Sequence, residues 1–288
     1  MKTAIMTDTN SGLTVEEGQK QGIHVLPMPV IIDGEEHTEG VDVDQKVLFD
    51  AMNAGKAVYT SQPSPGDITA MWDSILAAGA DEIVCLPMSS GLSKSCENAT
   101  ILAKDYGGKV FVVNNHRISV TLLSSVLDAL YLSKHGMDGA QIKARLEKNA
   151  FDASIYICVD TLKYLKMSGR VTAAGASLAT AMGLHPILNI RGGKLDAQCV
   201  VRGDKHIRKT LIKLMEHDLE DRFKYIPPEQ ITLNTAGTLV DPEAIEEWTA
   251  KVQKAFPDYQ VRYQPLSCSI GCHVGPNALA IAMSLIER

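Results

Sequence analysis

No apolar run in this 288-residue chain approaches the ~20 residues needed to cross a bilayer, so stable membrane insertion as a helix is not expected. Basic residues are not in excess either. Lys and Arg number 28 against 34 Asp and Glu, a formal net charge of −6, whereas a general nucleic-acid binder would show a basic face. The opening segment MKTAIMTDTNSG has no signal-peptide core, and the expectation is a cytoplasmic protein. Six cysteines (Cys85, Cys96, Cys158, Cys199, Cys268, Cys272) are scattered along the chain. Cys85, Cys158 and Cys199 lie in apolar, strand-like runs, where a free thiol behaves as a small hydrophobe, so no disulfide framework is expected. Cys268, Cys272 and His273 lack a second pair at zinc spacing, which argues against a metal. Adjacent residues such as Cys272 and His273 seldom face each other, which argues against a catalytic dyad. Neither a Walker A sequence nor Gly-x-Gly-x-x-Gly occurs, so no nucleotide cofactor is expected. There is no low-complexity segment, fixed-period repeat or obvious flexible linker.

What is present is the composition of a globular protein, 45% hydrophobic and 22% charged, with length for two ordinary domains or one large α/β domain. The organising stretch is DEIVCLPMSSGLSKSCENATILAKDY, Asp81 to Tyr106. Ile83, Val84, Cys85 and Leu86 form a run too short for a helix and suited to a strand buried on both faces. Ala99, Leu102, Ala103 and Tyr106 form the stripe of an amphipathic helix. Ser89 to Ser95 lie between. A strand that ends in a Ser- and Gly-rich turn before a helix gathers backbone N–H groups, hydroxyls and the positive end of a helix dipole. That suits a small anion such as a carboxylate or phosphate. The same serines are equally suited to capping the helix, and this stretch by itself leaves both roles open.

Elsewhere the pattern alternates strand with helix. Ala4–Met6 reads as a strand, and Thr14 with Glu17 starts a helix by the capping-box pattern. His24–Ile32 reads as one strand, confined by Pro27 and Pro29 to a sheet edge or an extended arm. Asp33-Gly34 is a hairpin turn, Asp44 caps a helix, and Thr60–Gly66 is a loop by composition. Strand–helix alternation implies a parallel sheet covered on both faces, with ligands at the carboxyl ends of its strands. The loops at Asp8, Thr60, Ser89–Ser93 and Asn115 are therefore expected to converge. After about residue 153 the pattern changes. A strand at Ser154–Val159, a hairpin turning at Arg191-Gly192-Gly193, a basic helix after Arg202 and a last helix to Glu287 predict an α+β region. The expected division is an α/β/α domain over 1–153 and a two-layer domain over 154–288.

Five motifs carry a resemblance: TDTNSGL near the start, TSQPSPG at Thr60–Gly66, SSGLS at Ser89–Ser93, LKYLKMSGRV at Leu162–Val171 and IGCHVGP at Ile270–Pro276. In this order, over nearly the whole chain, they resemble the DegV family of fatty-acid-binding proteins. The resemblance implies an α/β fold in two parts, a three-layer α/β/α parallel-sheet domain and a two-layer α/β mixed-sheet domain, with a long-chain fatty acid in a slot between or beside them. It implies Thr60, Ser93 and His273 as contacts to the carboxylate, with Ser61, Ser90, Gly91 and Gly275 as supporting loop residues. It also implies a separate ATP-dependent kinase subunit that phosphorylates the bound acid, so that the chain itself holds no catalytic residue. A cationic rim would steer such a partner, and Arg202, ahead of the basic helix, is the residue expected there. The alternative is an enzyme on a small carbonyl or phosphorylated substrate, since the fold also resembles the substrate domain of dihydroxyacetone kinases. Four positions depart from the family pattern: Lys94-Ser95 replace Gly-Thr, Asn277 replaces Gly, and Asn115 replaces Asp.

Overall fold

The computed structural model describes residues 2–178 and 183–288. β1 (Thr3–Asp8) runs into a single 3₁₀ turn, Thr9–Ser11, and then α1 (Val15–Gln21). The expected Thr14–Glu17 capping box opens α1, and Gly22, with φ of 76°, ends it in the left-handed region. Next come β2 (Ile23–Leu26), β3 (Pro29–Ile32), β4 (Glu35–Thr38), α2 (Gln45–Asn53), β5 (Val58–Thr60) and α3 (Pro65–Ala77). They are followed by β6 (Glu82–Leu86), α4 (Ser95–Leu102), β7 (Val110–Val112), α5 (Ser119–Lys134) and α6 (Gly139–Lys148).

The strands β2, β1, β6 and β7 form a parallel sheet in that order. All five residues of β6 are buried, as a central strand covered on both faces requires. Met6, Ile83, Cys85 and Val112 meet Trp72 and Ile75 of α3 on one face. Ile5, Val84 and Leu86 meet Leu122 and Val126 of α5 on the other, which completes three layers. The segment 24–32 departs from the expected single strand. It is broken at Pro27-Met28, so that β2 is the edge of the parallel sheet while β3 joins a separate antiparallel sheet, β4-β3-β5. Proline cannot donate to a ladder, and here the two prolines mark the change of sheet. Thr60 is likewise not in a loop but is the last residue of β5, paired with Val30.

From Ala153 onward the elements are β8 (Ala153–Cys158), α7 (Lys163–Ser168), α8 (Ala173–Ser177), β9 (Leu184–Ile190), β10 (Asp196–Arg202) and α9 (Asp204–Asp221). They continue with β11 (Ile231–Gly237), α10 (Pro242–Ala255), β12 (Tyr263–Pro265), α11 (Cys268–Val274) and β13 (Leu279–Leu285). Six strands form a mixed sheet, β10-β9-β8-β13-β11-β12, with only β11–β12 parallel. The last segment is thus a strand at the centre of a sheet, not the expected helix. An unbroken apolar run fits either element, and here both neighbouring strands offer β13 a hydrogen-bonding edge.

The two faces of this sheet differ. Tyr156, Cys158, Leu233, Ile281 and Met283 pack on α9 and α10, where Trp248 is fully buried and donates from Nε1 to the Ala280 carbonyl at 3.1 Å. Ile155, Ile157, Ala236, Ala280 and Ala282 point the other way, into the core that contains α5. α5 therefore lies between the sheets, against β1 and β6 on one side and β11 and β13 on the other. The basic helix α9 is solvated only in part. Lys205, Lys209 and Lys213 are exposed, but Arg208 is buried and pairs with Asp204 at 3.1 Å and with Glu247 of α10 at 2.8 Å.

Candidate functional site

The site begins where β5 meets α11. Ser267 caps α11 by accepting from the Ile270 N–H at 3.2 Å, and its hydroxyl donates to Asn10 Oδ1 at 3.1 Å. Glu39, after β4, accepts from the Cys268 N–H and, at 2.5 Å, from the Thr9 hydroxyl. Asp8 accepts from the backbone N–H groups of Asn10 and Met88, each at 2.9 Å. Burial pushes both carboxyls up, Asp8 to about 6. These bonds fix the start of α11 against the end of β1 and the antiparallel arm, and so set where α11 delivers its last turn.

That turn carries His273, whose Nε2 lies 3.0 Å from Thr60 Oγ1. Burial, and then the nearby Arg170 charge, push the imidazole down to about 4, so it is neutral across the physiological range. His273 Nδ1 is buried without a partner among the described residues. An N–H there would be stranded, so the network assigns the proton to Nε2. His273 then donates to the Thr60 oxygen, leaving the Thr60 hydroxyl hydrogen to point outward at an acceptor. Gly275, just after α11, has φ of 79°, and a Cβ on it would come within 2.8 Å of the Tyr164 ring. Only glycine fits this turn.

Ser93 lies in the turn before α4. Its Oγ is 2.9 Å from Ser95 Oγ and accepts from the Ser95 N–H at 3.2 Å. It therefore does some of the capping considered for it, but from one residue before the helix N-cap, Lys94. The turn is held by Ser89, which donates to the Gly192 carbonyl at 2.8 Å and accepts from the Gly91 N–H at 3.1 Å. A Cβ on Gly91 would sit 2.6 Å from both the Gly192 carbonyl oxygen and Gly193 Cα, so glycine lets the β9–β10 hairpin tip close on this turn. Ser90 is exposed, 3.4 Å from His116 Nδ1 and outside the cavity.

Thr60, Ser61, Ser93 and His273 open on one cavity of about 200 Å³. Gln62 and Arg170 join them there, and Asn10, Ser119 and Ser269 also line the cavity. Arg170 is the residue that spacing misses. It closes the LKYLKMSGR segment as one more basic residue, and only the turn at Gly169 carries it to the cavity, where it donates to the Ser168 carbonyl at 2.5 Å. Beyond these groups the lining is mostly apolar. Its floor is the inner face of the mixed sheet. Ile157 and Ala236 flank Ala280, and Ile155 is paired with Ala282, so alanines make the room. Arg202 is exposed at the opposite end of β10 from the hairpin tip, roughly 20 Å along a strand of this length, and does not line the cavity.

A family model described as "Uncharacterised protein, DegV family" matches residues 2–285. The chain belongs to the DegV family. A DegV domain-containing protein of Deinococcus radiodurans is 32% identical over 98% of each chain. A Thermus thermophilus DegV structure described by its fatty acid binding is 26% identical, with a TM-score of 0.88 over 99% of this chain and 100% of that one. A stearic acid-binding protein from Eubacterium ventriosum shares the fold, with 20% identity and a TM-score of 0.87 over 99% and 98% of the two chains. This shared fold is the three-layer and two-layer arrangement described above.

Two departures from the usual DegV pattern can be placed. Asn277 has φ of 59°, a conformation in which asparagine is the best substitute for the usual glycine, and it donates to Asp160 Oδ2 at 2.9 Å. Lys94 pairs with Glu97 on the exposed first turn of α4 at 3.1 Å, directed along the helix surface beside Ser93.

Proposed function

We propose that this DegV protein binds a long-chain fatty acid, with the carboxylate held by Thr60, Ser93 and His273 and the tail in the alanine-floored cavity. The observation that carries it is the Thr60–His273 pair at 3.0 Å, which lines, with Ser93 and Arg170, a cavity whose walls are mostly apolar. Each methylene taken from water gains roughly 0.8 kcal/mol, so a tail of about sixteen carbons binds strongly, whereas an apolar slot cannot take an ionised head without hydrogen bonds. The Thr60 hydroxyl, backed by the neutral imidazole, and the Ser93 hydroxyl supply two, and the Arg170 guanidinium supplies the countercharge. The apolar lining disfavours the small polar substrate of the enzyme alternative. Native mass spectrometry of the purified protein tests the reading directly. A co-purifying mass of a sixteen- to eighteen-carbon acid is expected, and its absence after delipidation and re-feeding would overturn it. Thr60→Val and Ser93→Ala should each weaken fatty-acid binding by about 1–3 kcal/mol, the worth of a hydrogen bond to a charged group. Thermal stability of the unliganded Thr60→Val variant should change less.

The same reading extends to presentation of the acid to a separate kinase subunit. Thr60, Ser93, Arg170 and His273 are each only partly buried, which leaves a carboxylate at their position reachable from outside. Arg202 remains the proposed partner contact, now as part of a docking face on the β10–α9 side rather than a rim of the pocket. Arg202→Ala should leave fatty-acid affinity unchanged and slow acyl-phosphate formation with a cognate kinase, an effect that shrinks with salt. Loss of fatty-acid affinity in this variant would count against that role.

A further inference from the structure

Two further polar side chains line the cavity and have unused hydrogen-bonding capacity. Asn10 is fully buried in the 3₁₀ turn after β1. Its Oδ1 is taken by Ser267, but its Nδ2 meets only the Met88 thioether, a weak acceptor, at 3.2 Å. Ser119 opens α5, is 6% exposed, and its hydroxyl is buried without a partner among the described residues. α5 is 16 residues long and its N-cap is Ile118, whose side chain cannot accept a hydrogen bond, so the N–H groups of its first turn start where Ile118, Ser119 and Val120 line the cavity. The 3₁₀ turn and α5 pack against each other, and Asn10 and Ser119 both line the cavity.

The position of Asn10 along a bound chain follows from α11. Ser269 and His273, four residues apart and thus on one helix face, both line the cavity. Ser267, which holds Asn10, precedes His273 by six residues, roughly 9 Å along the axis. An acyl chain anchored at Thr60 and His273 and running beside α11 therefore passes Asn10 well below its head.

We propose that the cavity contains a second polar station, formed by Asn10 Nδ2, the Ser119 hydroxyl and the uncapped start of α5, which selects fatty acids bearing a mid-chain hydroxyl. This rests on the fatty-acid reading and deepens it. A secondary alcohol accepts from Asn10 and exchanges a hydrogen bond with Ser119, whereas a plain methylene leaves both groups buried and unpaired. Sites built to bond a hydroxyl discriminate against the analogue that lacks it for this reason.

The test is calorimetric titration of the delipidated protein with octadecanoate, 10-hydroxyoctadecanoate and 2-hydroxyoctadecanoate. The 10-hydroxy acid should bind about 5–10-fold more tightly than octadecanoate, the effect of one net hydrogen bond, and the 2-hydroxy acid should show no such gain. Ser119→Ala should abolish the preference, bringing the affinity ratio of the 10-hydroxy acid over octadecanoate to about one. Equal or weaker binding of the 10-hydroxy acid by the wild type overturns the proposal, as does a preference that survives Ser119→Ala. Failure of octadecanoate itself to bind overturns the fatty-acid reading, a result separate from loss of the preference alone.

Discussion

Replacing Arg117 with methionine is expected to lower the unfolding free energy by about 3–5 kcal/mol, because it leaves several buried acceptors unpaired at about 1–3 kcal/mol each. Arg117 is 4% exposed. Its Nε donates to the Ala150 carbonyl at 3.4 Å, and Nη1 donates to Ser125 Oγ at 3.1 Å and the Leu285 carbonyl at 3.2 Å. Nη2 reaches the carbonyls of Asn149 at 2.7 Å and Asp152 at 3.4 Å. Burial lowers the guanidinium only to about 10, so it is charged at neutral pH. One side chain thus joins the loop before α5, the end of α6, the entry to β8 and the end of β13. Methionine matches its stem but leaves those oxygens buried and unpaired. Urea titration should show a lower midpoint with an unchanged slope. A loss below about 1 kcal/mol would mean that water replaces the guanidinium, and the stitch would be incidental. Because this loop sets Ile118–Val120 against the cavity, the variant should also bind ligand less well.

Ala280→Leu is expected to weaken binding of hexadecanoate on the order of 100-fold while leaving the protein folded. Ala280 lies mid-sheet between Ile157 and Ala236 on the face that floors the cavity. A leucine there occupies the space of three or so methylenes, each worth roughly 0.8 kcal/mol when buried. The added bulk enters a cavity rather than a filled core, so the overpacking penalty of about 1–3 kcal/mol should largely be avoided. Octanoate, with a shorter tail, should be affected less. Titration with both acids decides the point: unchanged hexadecanoate affinity would mean the tail does not cross this face.

Much of the local structure was legible because its causes are local. The Thr14–Glu17 capping box, the Asp33-Gly34 turn and the apolar run Ile83–Leu86 of β6 all follow from residues within a few positions of one another. The errors were in elements whose state depends on distant partners. The run Ala278–Leu285 has no periodicity that separates a buried helix from a buried strand, and pairing with β8 and β11, far away in sequence, decides it. The segment 24–32 divides between two sheets because β3 finds β4 and β5, strands too short and too polar to stand out alone.

The site divides in the same way. The motifs by themselves determined that Thr60, Ser93 and His273 belong to one family pattern, with glycines at positions where a side chain would collide. Only the tertiary structure decided that Thr60 and His273, 213 residues apart, meet at 3.0 Å, that the imidazole is neutral, and that Arg170 shares the cavity while Arg202 does not. The cavity itself was beyond the sequence, since Ala236, Ala280 and Ala282 are small everywhere but make space only where β11 and β13 set them side by side. A hydroxyl or a turn glycine carries its chemistry in its own atoms, whereas a cavity and a perturbed pKa exist only in what the folded chain packs around them.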